Sequence, residues 1–329
     1  MITPKIRNVI IAGPEKTGTS SLVKLLNAHP DICILFEVYF QSTILTKYGH
    51  KLLDRFPETR HCFYHTDDIS KPVDAFFNLL AKTGKSPHYS LVGNKINTLE
   101  TWKLPQDPNQ KLILPFRDIR TWLIKYSIVK HYRTDLDVVR PTMAYLKALV
   151  HGFKNRNSHI LWLEDFVMDN NQVIDQLSTY LSIDLSCVKD TWWKRASTDL
   201  DDPVKSIFNI DVVHPSSSYA PSKLDSHYTL KEIGFWDEVS AIFDKYHRVN
   251  SGVSFSDHEL DADLKRIDEL GIIEPIRIQD AYESYQTERF KGYAIEDSSS
   301  STRVGSKDQV TLIGQKIKHT IQKYISQLK

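Results

Sequence analysis

The feature that most constrains this chain is its opening. An apolar run, Arg7–Ala12 (RNVIIA), leads into Gly13–Ser21 (GPEKTGTSS), and Leu22, Leu25 and Leu26 then recur at helical spacing until His29-Pro30. A short apolar run rich in β-branched residues reads as a buried parallel strand, and the leucine spacing reads as a helix ended by proline. A second apolar run, Ile32–Phe36, stops at Glu37. Together these make a βαβ unit, which commits the chain to a parallel sheet covered by crossover helices.

Further strands are expected at Ser90–Val92, Lys111–Pro115 and His159–Leu163, each followed by a helical pattern. The helix after Leu114 puts Trp122, Tyr126 and Val129 on one face, and the one after Leu163 repeats Val173, Leu177 and Tyr180. The fold class expected is therefore α/β, with a central, mostly parallel sheet flanked by helices over residues 1–250 and a helical C-terminal extension. Residues 197–230, rich in Ser, Asp and Pro, read as a long loop, and Phe235–Tyr246 as a return to helix. Residues 251–296 are expected to be an acidic helical extension, since 257–297 hold 12 acids and 5 bases. The run DSSSST opens a flexible linker, 297–308, before a basic amphipathic helix, 309–329. Its stripe is Val310, Ile313, Ile317, Ile321, Tyr324 and Leu328, with four lysines and no acid over 310–329.

Composition closes several classes. Lysine plus arginine is 42 and aspartate plus glutamate 41, so the chain lacks the basic excess of a general nucleic-acid binder. Its apolar runs fall short of the roughly 18–20 residues a membrane span needs. Cys33, Cys62 and Cys187 are far apart, with no CxxC pair or Cys/His cluster at metal spacing. Reduced thiols, no metal site and a cytoplasmic location are the expectations. The basic tail leaves open packing on the domain, self-association or peripheral contact with an anionic membrane.

A strand feeding a glycine-bearing loop and a helix N-terminus is a setting for phosphate. The nucleotide-triphosphatase pattern GxxxxGK[ST] requires lysine after the second glycine. Thr19 holds that place here, and the lysine, Lys16, lies inside the loop, which argues against a small-molecule P-loop kinase.

The series Lys16-Thr17-Gly18-Thr19-Ser20-Ser21-Leu22, followed by Leu25-Leu26 and His29-Pro30, resembles the 5′-phosphosulfate loop of the sulfotransferases. These enzymes use 3′-phosphoadenosine-5′-phosphosulfate (PAPS). Three segments extend the resemblance in the family's order: Val92-Gly93-Asn94-Lys95, Phe116-Arg117-Asp118 and Leu163-Glu164-Asp165-Phe166. His214–Pro221 and Lys231–Trp236 are similar to the family's later loops, so the resemblance spans about residues 7–246. Departures are Ile119, where the family carries proline, and Lys125, where it carries serine, with Ser127 two residues on.

The resemblance implies a P-loop-like sulfotransferase core and sulfuryl transfer from PAPS, without a metal, to a hydroxyl or amine. It implies that Lys16 stabilises the leaving 5′-phosphate, with Thr17, Gly18, Thr19 and Ser20 around it. Arg117, with Lys125 or Ser127, would meet the 3′-phosphate. Glu37 matches the glutamate base of the carbohydrate and bacterial branch, and Asn97 stands where the cytosolic branch has its histidine. Glu37 is the base candidate, against a carboxylate that pairs with a lysine to hold the loop. Lys95 either orients the reactants or is an ordinary strand-end lysine. Glu164-Asp165 is expected to be structural, with Asp165 capping a helix. The acceptor expected is a carbohydrate or glycoconjugate, or a small molecule. A nucleotide-binding scaffold without catalysis is the non-enzyme reading.

Overall fold

The computed structural model describes residues 7–39, 46–63, 70–104, 110–130, 135–193, 202–208, 235–249 and 253–271. Among the described residues five strands form one sheet in the order β2-β3-β1-β4-β5: β1 (Arg7–Gly13), β2 (Ile32–Phe36), β3 (Leu91–Asn97), β4 (Gln110–Phe116) and β5 (Ser158–Trp162). All four pairings are parallel, so the expected α/β class holds. β1, β3 and β4 run beyond their expected limits, and β5 is shifted one residue back, so that Leu163 opens a helix instead. β3 extends to Asn97 because Asn94 and Lys95, polar but buried, find partners on the segment after β2.

Alternation along β1 builds two cores, as a strand's period of two requires. Val9 and Ile11 face a cluster with α1 (Thr19–Asn27), α3 (Ser70–Lys82) and α7 (Asn170–Leu181). The same cluster takes in α2 (Lys47–Arg55) and α6 (Leu163–Met168) through Leu52, Leu53 and Phe166. Ile10 and Ala12 face the opposite layer: α4 (Ile119–Lys130), α5 (Asp135–Lys154) and α8 (Phe235–Tyr246).

The single helix expected after β5 is two. Asp169 breaks it by capping α7, its carboxylate accepting the Gln172 N–H at 3.0 Å. Asp165, expected as a cap, lies inside α6 and pairs with Arg248 at 2.8 Å. Helix α5 was not expected, and Pro141 lies within it.

Residues 257–271 are helical and pack on the second core through Leu260, Ile267 and Leu270. Lys245 reaches Asp263 at 2.7 Å and Lys154 reaches Asp261 at 2.6 Å, so acids of this helix meet bases of α8 and α5. The expected linker, 297–308, and basic helix, 309–329, lie outside the described residues. In the stretch expected as a long loop, 202–208 is described. Val204 and Phe208 are buried there, and Lys205 donates to the His29 and Pro30 carbonyls at 2.7 and 3.2 Å. Among the described residues, no helix is long and apolar enough to cross a membrane.

On the β2 side of the sheet, Asn27 at the end of α1 exchanges two hydrogen bonds with the Ile34 backbone, at 2.9 and 2.7 Å. The His29 carbonyl accepts the Ile32 N–H. At the centre of the sheet Gly93 lies beside Val9, and a Cβ there would stand 2.1 Å from the Val9 carbonyl oxygen. Gly93→Ala is therefore expected to lower stability by about 1–3 kcal/mol, as overpacking does. A lower urea midpoint at unchanged slope would show it.

Candidate active site

Parallel register brings the carboxyl ends of β2, β3 and β1 level: Phe36 stands opposite Lys95, and Gly13 opposite Asn97. The residues that leave these strand ends therefore gather on one edge, where open α/β sheets collect ligands. Chain order reverses between β1, which leads to β2 on one side, and β4, which leads to β5 on the other. The loop after β1 and Arg117 after β4 flank that switch point.

The loop itself is held from behind. Lys16 has φ 71° and Gly18 φ 90°, so two of its residues are left-handed. The φ of Gly18 is what calls for glycine there, since a Cβ would meet only the Leu163 methyl, at 2.7 Å, which can turn away. The Thr17 hydroxyl is buried and donates to the Pro14 carbonyl at 2.8 Å. Among the residues expected to cradle a phosphate, then, Thr17 turns its hydroxyl into the loop. The Trp122 indole N–H donates to the Glu15 carbonyl at 2.8 Å, and Lys130 reaches the Glu15 carboxylate at 2.9 Å. No side chain caps α1 among the described residues, and Gly18 is its N-cap.

Lys16, Gly18, Thr19, Ser20, Glu37 and Lys95 line one cavity of about 380 Å³, together with Glu15, Ser21 and Asn97. Lys95 projects from β3 with only 2% of its side chain exposed, and its ammonium lies 2.5 Å from Glu37 Oε1. It also sits 4.3 Å from the centroid of the Phe36 ring. Burial lowers the Lys95 pKa, and the Glu37 carboxylate works against that shift. Asn97 adds a second donor to Glu37 Oε1, at 2.6 Å. Glu37 has φ 53°; its N–H donates to the Lys95 carbonyl at 2.9 Å and its carbonyl accepts the Thr46 hydroxyl at 2.7 Å. Both readings offered for Glu37 meet here: it is paired with a lysine, and it lines the cavity beside the loop.

Arg117 belongs to a separate, buried group beyond β4. Its Nε donates to the Thr121 hydroxyl at 2.8 Å, and its N–H to the Tyr145 hydroxyl at 2.8 Å, which in turn donates to the Arg117 carbonyl. Tyr145 packs on Trp122 with ring centroids 4.3 Å apart. A continuous aromatic contact thus links the residue that tethers the loop to the residue that fixes Arg117. Asp118 caps α4, accepting the N–H groups of Arg120 and Thr121. Lys125 is half-buried on α4 and does not line the cavity. The side chain of Ser127 lies outside the described residues, as do 209–234 with most of the later family-like loops. Glu164 Oε1 accepts the Asp118 N–H at 2.9 Å, while Oε2 is buried with no hydrogen-bond partner among the described residues.

Trp122, Tyr145 and Asn97 were absent from the sequence-based site. Only Asn97 carried a usable signal: it lies two residues from Lys95, and a strand puts such residues on one face.

No family model matches this chain, and no curated protein matches it. Among solved structures, a mouse sulfotransferase, SULT7A1, complexed with PAP is similar at 12% identity and TM-score 0.44, over 79% of this chain and 90% of that one. The sulfotransferase domain of the Synechococcus PCC 7002 olefin synthase gives 12% identity and TM-score 0.36, over 82% and 94%. The sulfotransferase domain from the curacin biosynthetic pathway gives 15% and 0.36, over 80% and 97%. At these values the likeness decides nothing about activity.

Trp122→Phe keeps the ring stack but removes the donor to Glu15. It is expected to cost about 1–3 kcal/mol for the stranded carbonyl. Amide exchange at residues 15–18 should accelerate more than exchange in the central strands. Burial raises the Glu164 pKa, so its ionisation opposes folding as pH rises from the usual carboxylate range through the raised value. Glu164→Gln should lose that dependence: its stability relative to wild type rises across this window and levels off above it. Denaturant unfolding from pH 4 to 8 checks this.

Proposed function

We propose that this chain is a PAPS-dependent sulfotransferase acting on a hydroxyl, with a carbohydrate or glycoconjugate as the acceptor class. The observation that carries the reading is that Lys16 of the loop and the Glu37–Lys95 pair line one cavity at the carboxyl ends of adjacent parallel strands. Sulfuryl transfer needs a cation where the leaving phosphate gathers charge, and a base where the acceptor loses its proton. The cavity offers Lys16 for the first and Glu37 for the second. Arg117, across the switch point, is the proposed partner of the 3′-phosphate, and Lys125 or Ser127 the second.

In the reaction proposed, the acceptor oxygen forms a bond to sulfur while the bond from sulfur to the bridging phosphate oxygen breaks. The acceptor proton passes to Glu37, and the products are a sulfate ester and 3′-phosphoadenosine-5′-phosphate (PAP). Positioning and electrostatic stabilisation supply the catalysis, as in the related phosphoryl transfers. Lys16 and the loop N–H groups stabilise the departing 5′-phosphate. The preference for a carbohydrate hydroxyl rests on Glu37 as base, with Asn97 in place of a histidine. A kinase is disfavoured by Thr19 in the position a triphosphatase loop gives to lysine.

Calorimetric titration of the wild type and Lys16→Ala with PAP, and separately with ATP and magnesium, tests the donor. Micromolar PAP binding is expected, weakened on the order of 10-fold by Lys16→Ala as a charge-assisted hydrogen bond is lost. Sulfuryl transfer should fall on the order of 10²-fold in the same variant. Preference for ATP with magnesium would move the chain to the kinases, and binding of neither would leave a fold without this chemistry.

A further inference from the structure

Two donors converge on one oxygen of Glu37. Lys95 and Asn97 stand two residues apart on β3, on the same face of the strand, and reach Oε1 at 2.5 and 2.6 Å. Oε2 has no partner among the described residues, and 27% of the Glu37 side chain is exposed. A lysine ammonium alone is a point charge on a flexible stem and leaves a carboxylate free to turn about its last bond. A second donor on the same oxygen, arriving from a different atom of the strand, fixes the carboxylate plane.

Asn97 is itself held. Its backbone N–H donates to the Tyr39 hydroxyl at 3.2 Å, and that hydroxyl donates to the Asn97 carbonyl at 3.4 Å. The next residue's N–H donates to the Gly13 carbonyl at 3.1 Å, tying the strand end to the start of the loop. The side-chain Oδ1 is buried with no hydrogen-bond partner among the described residues. Turning the amide over would set Oδ1 against Glu37 Oε1, two acceptors at hydrogen-bond distance. The amide therefore keeps an unsatisfied oxygen, which is costly in a buried site, in order to present its N–H to the carboxylate.

We infer that Asn97 is a positioning residue for the proposed base: with Lys95 it occupies Oε1 of Glu37 and so makes Oε2 the oxygen that meets the acceptor. The inference rests on the sulfotransferase reading. Asn97 takes no proton. The acceptor proton goes to Oε2 as the acceptor oxygen bonds to sulfur and the bridging bond to phosphate breaks.

The test is a double-mutant cycle of Glu37→Ala and Asn97→Ala in the full chain, read by release of labelled sulfate from PAPS, with water as acceptor, and by transfer to a panel of sugar alcohols. Donor KM, PAP affinity and melting temperature are measured alongside. Glu37→Ala should lower kcat on the order of 10²–10⁴-fold. Asn97→Ala should lower it on the order of 10-fold, with donor KM and PAP affinity within about twofold of wild type, since misplacement of a reacting group acts on kcat. The double variant should be no slower than Glu37→Ala, because a residue that acts through Glu37 has nothing to position once Glu37 is gone. Additive losses, or a loss confined to donor KM, would overturn the inference while leaving the sulfotransferase reading intact. A wild type that neither releases sulfate nor sulfates any alcohol fails that reading first and takes the inference with it.

Discussion

The arrangement turns on a lysine side chain that is almost wholly buried. Lys95 has 2% of its side chain exposed, and an isolated buried charge is costly enough to be neutralised unless a counter-charge is supplied. Glu37 supplies it, from the residue that follows β2. Much depends on that pairing: Glu37 adopts a left-handed backbone, β2 continues its ladder onto β3 through the Glu37 N–H, and the carboxylate comes to rest in the cavity beside the loop. The pair that satisfies the buried charge is also the pair proposed for proton transfer. A buried pair is weak evidence for stability, so its expense is better explained by position.

The site has two halves, supported differently. Beside β1, β2 and β3 the groups are strand-end residues set level by parallel register. Beyond β4 the support is aromatic: Trp122 grips the Glu15 carbonyl, and Tyr145, packed against it, grips both backbone groups of Arg117. The distance between a leaving 5′-phosphate and a 3′-phosphate is fixed by the nucleotide. Rigid ring contacts between their two proposed binding regions suit a ligand of fixed length better than loop contacts would.

The sequence made β1, α1 and β2 legible because each is a pure pattern: β-branched run, leucine spacing, apolar run. β3 was read short, at Val92, because Asn94 and Lys95 look like strand-ending residues. Buried pairing keeps them in the strand, with Asn94 on the Val38 backbone and Lys95 on Glu37. α5 escaped because Pro141 lies within its pattern, and the break between α6 and α7 escaped because Asp169 can be helical surface or cap until its neighbours are placed. The cavity residues were largely readable, since they sit in motifs. Trp122 and Tyr145 were not, because an aromatic residue at helical spacing has the same signature whether it only fills a core or also holds a loop.

One consequence lies at the margin of the sheet. Among the described residues β2 is a terminal strand, and such strands carry a row of backbone groups ready to pair with another chain. Asn27 and His29 occupy part of that row from within: the amide of Asn27 takes both backbone groups of Ile34, and the His29 carbonyl takes the Ile32 N–H. A foreign strand would have to evict the end of α1 to add itself there. The turn that closes the first crossover thus also guards this flank against fibrillar stacking and strand exchange between molecules.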